Sequence, residues 1–177
     1  MATIPIDERF AIQELTYLYA FYCDTRSYEK LAQLFADECL YDEAVVGGAP
    51  VKSRAEVHQL FINASQRLGP MIHICSNLII SEFSGSAASG ICYVLAEGLF
   101  NVDGAQESFR IFGYYEDGYA KEADKHWYFK SRVLKLLVPS QGAPTVGGIT
   151  YDAIRQFSRW HRRTETHEQL EQRNEES

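Results

Sequence analysis

Two residues in this chain combine reactive chemistry with unusual surroundings, Asp24 and His73. His73 falls in an alternating stretch, 71–82. There a period of two places His73, Cys75 and Asn77 on one face and Ile72, Ile74, Ser76 and Leu78 on the other. A histidine among apolar neighbours is either satisfied by a nearby carbonyl or side chain, or kept as a proton acceptor. Asp24 follows the aromatic run 17–22 at the end of a predicted helix, where a carboxylate opposes the helix dipole. It either bonds its own loop, Thr25-Arg26-Ser27, or is placed for another purpose. Taken together the two make sense as a base and its orienter. Imidazole has an unperturbed pKa of about 6.5, and a carboxylate on one ring nitrogen fixes the tautomer and stabilises the imidazolium. A proton transfer of this kind contributes roughly 10²–10⁴-fold in rate.

A cation comes from the last predicted strand. In 127–133 the residues Tyr128, Lys130 and Arg132 share one face, and Trp127, Phe129 and Val133 the other. Arg132, in mid-strand, is a candidate to bind a leaving anion or an oxyanion; exposure on an open sheet face is the alternative. The remaining histidines, His58, His126, His161 and His167, show no HxH, HxxxH or HExxH spacing, so no metal site is expected. With no GxGxxG, phosphate-binding loop or GxSxG elbow, neither a nucleotide nor any other cofactor is implied.

These residues must be positioned by helices first and strands afterwards. Asp7 caps a predicted helix with apolar residues at Phe10, Ala11, Leu15, Leu18 and Tyr22, ending near Cys23-Asp24. A short helix over 28–35 and a strand over 39–46 follow. Ser53-Arg54-Ala55-Glu56 is a capping box opening a third helix, which Gly69-Pro70 stops. Four long strands, 71–82, 88–100, 106–119 and 126–138, then form an antiparallel meander. The fold class is α+β: a curved, mostly antiparallel sheet wrapped as a cone around N-terminal helices, its mouth a ligand pocket. Phe112 and Tyr115 are expected in the pocket wall with Asn77, and the loop 139–150 is a candidate lid. A short helix over 151–163 completes one domain, 1–163, before a polar tail, 164–177.

Composition narrows the partners. A net charge of −7 argues against nucleic acid, which needs clustered Lys and Arg. No apolar run approaches the roughly 20 residues of a membrane helix, so no membrane partner is expected. Cys23, Cys39, Cys75 and Cys92 form no CxxC pair and read as reduced thiols of a cytoplasmic protein.

The element order, with Ile12-Gln13-Glu14-Leu15, Cys23-Asp24, 31–35, Ile72-His73-Ile74 with Asn77, and Trp127-Tyr128-Phe129, resembles the SnoaL-like group of the nuclear transport factor 2-like superfamily. Within it the pattern is similar to scytalone dehydratase, bile acid 7α-dehydratase and hexachlorocyclohexane dehydrochlorinase. The resemblance implies a lyase in which Asp24 orients His73 as the base of an elimination from a small cyclic or polycyclic apolar substrate. It also implies a tyrosine five residues before the aspartate, Tyr19, and an anion-binding arginine, Arg132. Five residues separate side chains by about 140° on an ideal helix. Tyr17, seven residues back, shares the face of Asp24 directly, so either tyrosine supplies the pocket hydroxyl. An isomerase or polyketide cyclase with the same dyad, or a non-catalytic binding or assembly module, fits the same pattern. Relatives with this fold imply a homo-oligomer, dimer or trimer, through the open sheet face.

Overall fold

In the computed structural model, which describes residues 3–102 and 105–138, the chain opens with helix α1, Ile6–Asp24. Pro5 occupies its N-cap without a side-chain bond, so Asp7 sits inside the first turn rather than capping it. Ile12, Leu15, Tyr19 and Cys23 recur every three or four residues and are buried, the stripe by which α1 packs on the sheet. Arg26, at φ 56°, breaks the chain direction, and a single turn of helix, α2 (Tyr28–Ala32), follows.

Strand β1 spans Phe35–Asp42, four residues earlier than the alternation suggested, because Leu34 already bonds into the sheet: the Phe129 amide donates to the Leu34 carbonyl (2.9 Å). A 3₁₀ turn (Ala44–Val46) and strand β2 (Val51–Ser53) replace the predicted end of that strand. Helix α3, Arg54–Ser65, begins at the expected cap, with the Glu56 amide donating to Ser53 Oγ at 3.3 Å. The Glu56 carboxylate accepts from the Lys52 amide (2.7 Å), closing the same turn from the other side.

The meander is long and regular: β3 (Leu68–Phe83), β4 (Ala87–Val102), β5 (Ala105–Lys121) and β6 (Trp127–Leu136). Gly69-Pro70 lies inside β3 rather than before it. β3 is the edge of the six-stranded order β2-β1-β6-β5-β4-β3, where a missing amide donor costs little. The sheet is mixed, because β1 runs parallel to β6 while every other neighbour is antiparallel. Tight strand packing needs glycine at Gly113, where an added Cβ would sit 2.3 Å from the Lys135 carbonyl oxygen. Phe35, Tyr41, Tyr115, Tyr119, Phe129 and Leu134 fill the space between sheet and α1.

The loop 139–150, the helix over 151–163 and the tail 164–177 lie outside the described residues. No helix among those described is long and apolar enough to cross a membrane.

Candidate functional site

At the C-terminal end of α1, Asp24 reaches across to the edge strand β3. Asp24 Oδ1 lies 2.7 Å from His73 Nδ1, and Oδ2 accepts the His73 backbone amide at 2.9 Å. The second bond has a topological cause: β3 has no neighbour on its outer edge, and the carboxylate takes the place of one. Both oxygens therefore lock one residue. An ionised carboxylate only accepts, so Nδ1 carries the proton and Nε2 keeps the lone pair. Side-chain exposure is 12% for His73 and 22% for Asp24, so the pair is shielded but not sealed.

His73 lines a cavity of about 470 Å³, within the usual range for small-molecule sites. Most of the wall is apolar: Leu60, Phe61, Met71, Val94, Phe100, Phe109 and Ile111. Its polar groups are Tyr19, Tyr41, Glu43, Arg67, His73 and Tyr115. The Tyr19 and Tyr41 hydroxyls are hydrogen-bonded at 2.8 Å, and the Tyr19 ring meets the His73 ring edge-on, centroids 6.4 Å apart. Burial pushes the hydroxyls of Tyr19, Tyr41 and Tyr115 well above the ordinary phenol range.

Of the two tyrosines open from the sequence, Tyr19 faces the cavity. It need not share the face of Asp24, because the His73 ring spans the angle between them. Tyr17 is 50% exposed and bonds Gln13 on the outside of α1. With Asn77 it lines a separate hollow of about 210 Å³. Tyr17 and Asn77 are thus corrected as pocket residues. Asn77 leaves the His73 face because the ladder slips between Ser76 and Ile79, with Asn77 itself at φ 50°. Phe112 is corrected as well. Three residues from Tyr115, it has the opposite parity and points outward, paired with Leu95.

Arg132 takes neither of its expected positions. It is 0% exposed, absent from the cavity wall and forked onto Asp117 at 2.9 and 2.8 Å. The rings of Phe129, Tyr115 and Tyr19 cover its guanidinium at 4.0, 4.2 and 4.3 Å. An arginine already matched by a carboxylate has little charge to offer a leaving anion.

Sequence reasoning missed Tyr41 and Glu43. Asp42-Glu43 fall in the middle of the strand expected over 39–46, with nothing local to mark them, and only the pairing of β1 with β6 brings this stretch to the cavity.

The site thus belongs to a small α+β domain with a curved mixed sheet and an apolar pocket bordered by an aspartate-bound histidine. The chain belongs to the SnoaL-like domain family, whose model matches residues 5–133, and its fold is that of the nuclear transport factor 2-like superfamily. Several solved structures share the fold. A provisionally named aromatic-ring hydroxylase of Novosphingobium aromaticivorans superposes with a TM-score of 0.73 at 24% identity, covering 85% of this chain and 99% of that one. A provisionally named scytalone dehydratase of the same organism gives 0.66 at 21%, covering 82% and 97%. The type 3 hexachlorocyclohexane dehydrochlorinase of Novosphingobium barchaimii gives 0.67 at 24%, covering 82% and 96%. No curated protein matches the chain in sequence.

Proposed function

We propose that this protein is a cofactor-independent lyase of the dehydratase type, acting on a small cyclic or polycyclic apolar substrate. The observation that carries the proposal is the double grip of Asp24 on His73, 2.7 Å to the ring and 2.9 Å to the amide, at the wall of an apolar cavity. Nε2 of His73 removes a proton from carbon next to a carbonyl, and Asp24 stabilises the imidazolium that forms. Of the hydrogen-bonded Tyr19 and Tyr41 hydroxyls, the one whose proton is not spent on its partner donates to the substrate carbonyl oxygen as it gains enolate character. The names of two neighbours, a dehydratase and a dehydrochlorinase, belong to elimination chemistry and favour this class.

The test is elimination on a panel of hydroxylated cyclic ketones by wild type, His73→Ala and Asp24→Asn. Unchanged turnover in both variants ends the assignment. An isomerase is the second reading, favoured by Glu43, a further carboxyl in the wall that can return a proton elsewhere on the substrate. Product mass separates them, since only dehydration loses water. Association as a dimer or trimer belongs to the same proposal. Ile74, Leu95 and Phe112 align across three strands on the outer face, and sedimentation of Phe112→Asp against wild type tests whether they hold copies together.

A further inference from the structure

Glu43 is the only carboxylic acid in the cavity wall among the described residues. It stands just past the end of β1, in a turn that closes back on it. Its carbonyl accepts from the amides of Val46 (3.0 Å) and Gly48 (3.2 Å), with Gly47 at φ 94°, a conformation that suits glycine. An added Cβ at Gly48 would lie 3.3 Å from the Glu43 carbonyl oxygen, so the turn is packed tightly against the residue it positions. Titratable and charged groups face Glu43 from every side: Tyr41 on β1, His73 on β3, Tyr115 on β5, Arg132 on β6, and Tyr19 and Cys23 on α1. Burial outweighs the favourable neighbours, of which Tyr41 counts most, and pushes the Glu43 carboxyl above the ordinary range.

An elimination that loses hydroxide needs an acid as well as a base. Water has a pKa of about 15.7, so unprotonated hydroxide is a poor leaving group. The hydroxyls of Tyr19, Tyr41 and Tyr115 are weaker acids than ordinary phenols here. A protonated carboxyl in the same wall is far stronger.

We infer that Glu43 is the general acid of this reaction, protonating the departing hydroxyl while His73 takes the carbon-bound proton. The inference rests on the lyase reading above. His73 Nε2 takes the proton, and the C–H electron pair becomes the new C=C bond. The C–O bond breaks with its pair on oxygen, which takes the Glu43 proton and leaves as water. One proton has been gained by His73 and one lost by Glu43. Transfer from imidazolium to carboxylate through the released water restores both. Since the acid form is the working one, turnover falls as pH rises through the raised Glu43 pKa.

The experiment compares two probes, a bicyclic β-hydroxy ketone and its β-acetoxy analogue, whose carboxylate leaving group needs no proton. Glu43→Gln is expected to slow loss of water by about 10²-fold or more and loss of acetate by less than about threefold. It also removes the high-pH decline seen with the hydroxy ketone. His73→Ala slows both. Equal slowing of both probes by Glu43→Gln, or of neither, overturns the Glu43 assignment while the His73 base stands. Unchanged loss of both in His73→Ala overturns the lyase reading itself. If Glu43→Gln fails to fold, carbon-13 NMR titration of Glu43 in the wild type decides. It is expected to titrate above the free value of about 4.3, and a value at or below that overturns the assignment.

Discussion

Two carboxylates in this molecule each hold a basic side chain, and they do so to opposite ends. Asp117 on β5 and Arg132 on β6 stand directly opposite in register, both fully buried and joined by two bonds. Tyr119 donates its hydroxyl to the same carboxylate at 2.9 Å, and three aromatic rings close over the guanidinium. Asp24 and His73 come from a helix end and an edge strand, are partly exposed, and leave one ring nitrogen uncommitted at a cavity. The sealed pair neutralises its charges locally and orders the layer beneath the pocket. The open pair keeps a lone pair accessible. What separates structure from reactivity here is whether a free atom reaches the cavity: Arg132 Nη1 also lacks a partner, but its residue is fully buried and outside the cavity wall.

The sharpest way to break this contrast is at its centres. His73→Ala is expected to lower kcat by about 10²–10⁴-fold on a substrate of the elimination panel, with thermal unfolding little changed. Arg132→Ala should act the other way, costing about 3–5 kcal/mol in urea denaturation because Asp117 is left as an unpaired buried charge. Replacing Arg132 and Asp117 together by Met and Leu should recover most of that loss. If Arg132→Ala stays stable but loses turnover, the division of labour between the pairs is wrong. Asp24→Asn is expected to reduce kcat on the order of 10²-fold, because an amide can donate to Nδ1 and favour the wrong tautomer. Tyr19→Phe should cost about 0.5–1.5 kcal/mol through the lost bond to Tyr41 and lower turnover as well. Tyr17→Phe, at the outward hollow, should stay within about 0.5 kcal/mol of wild type with kcat unchanged.

Legibility in the sequence followed the range of the interaction involved. The meander was readable because alternation and turn residues are local signals, and all four strands came within three residues at each end. β1 was misplaced because it pairs in parallel with β6, some ninety residues on, and nothing near Phe35 announces that partner. The same distance in sequence hid Glu43 and Tyr41. Phe112 fails because Tyr115, three residues on in an unbroken ladder, has the opposite parity, and Asn77 fails for a narrower reason. Parity arguments hold only within an unbroken ladder, and a slip after Ser76 moves Asn77 to the other side.

By itself the sequence determined the α+β order of elements, the capped start of α3, the face that His73 shares with Cys75, and the presence of an aspartate at the end of α1. Each follows from periodicity or capping within a few residues. Only the tertiary structure decided that Asp24 touches His73, that Tyr19 rather than Tyr17 meets the cavity, and that Arg132 is sealed against Asp117. Those outcomes depend on how far the sheet curls around α1, a sum over many strand contacts that no short stretch of chain contains.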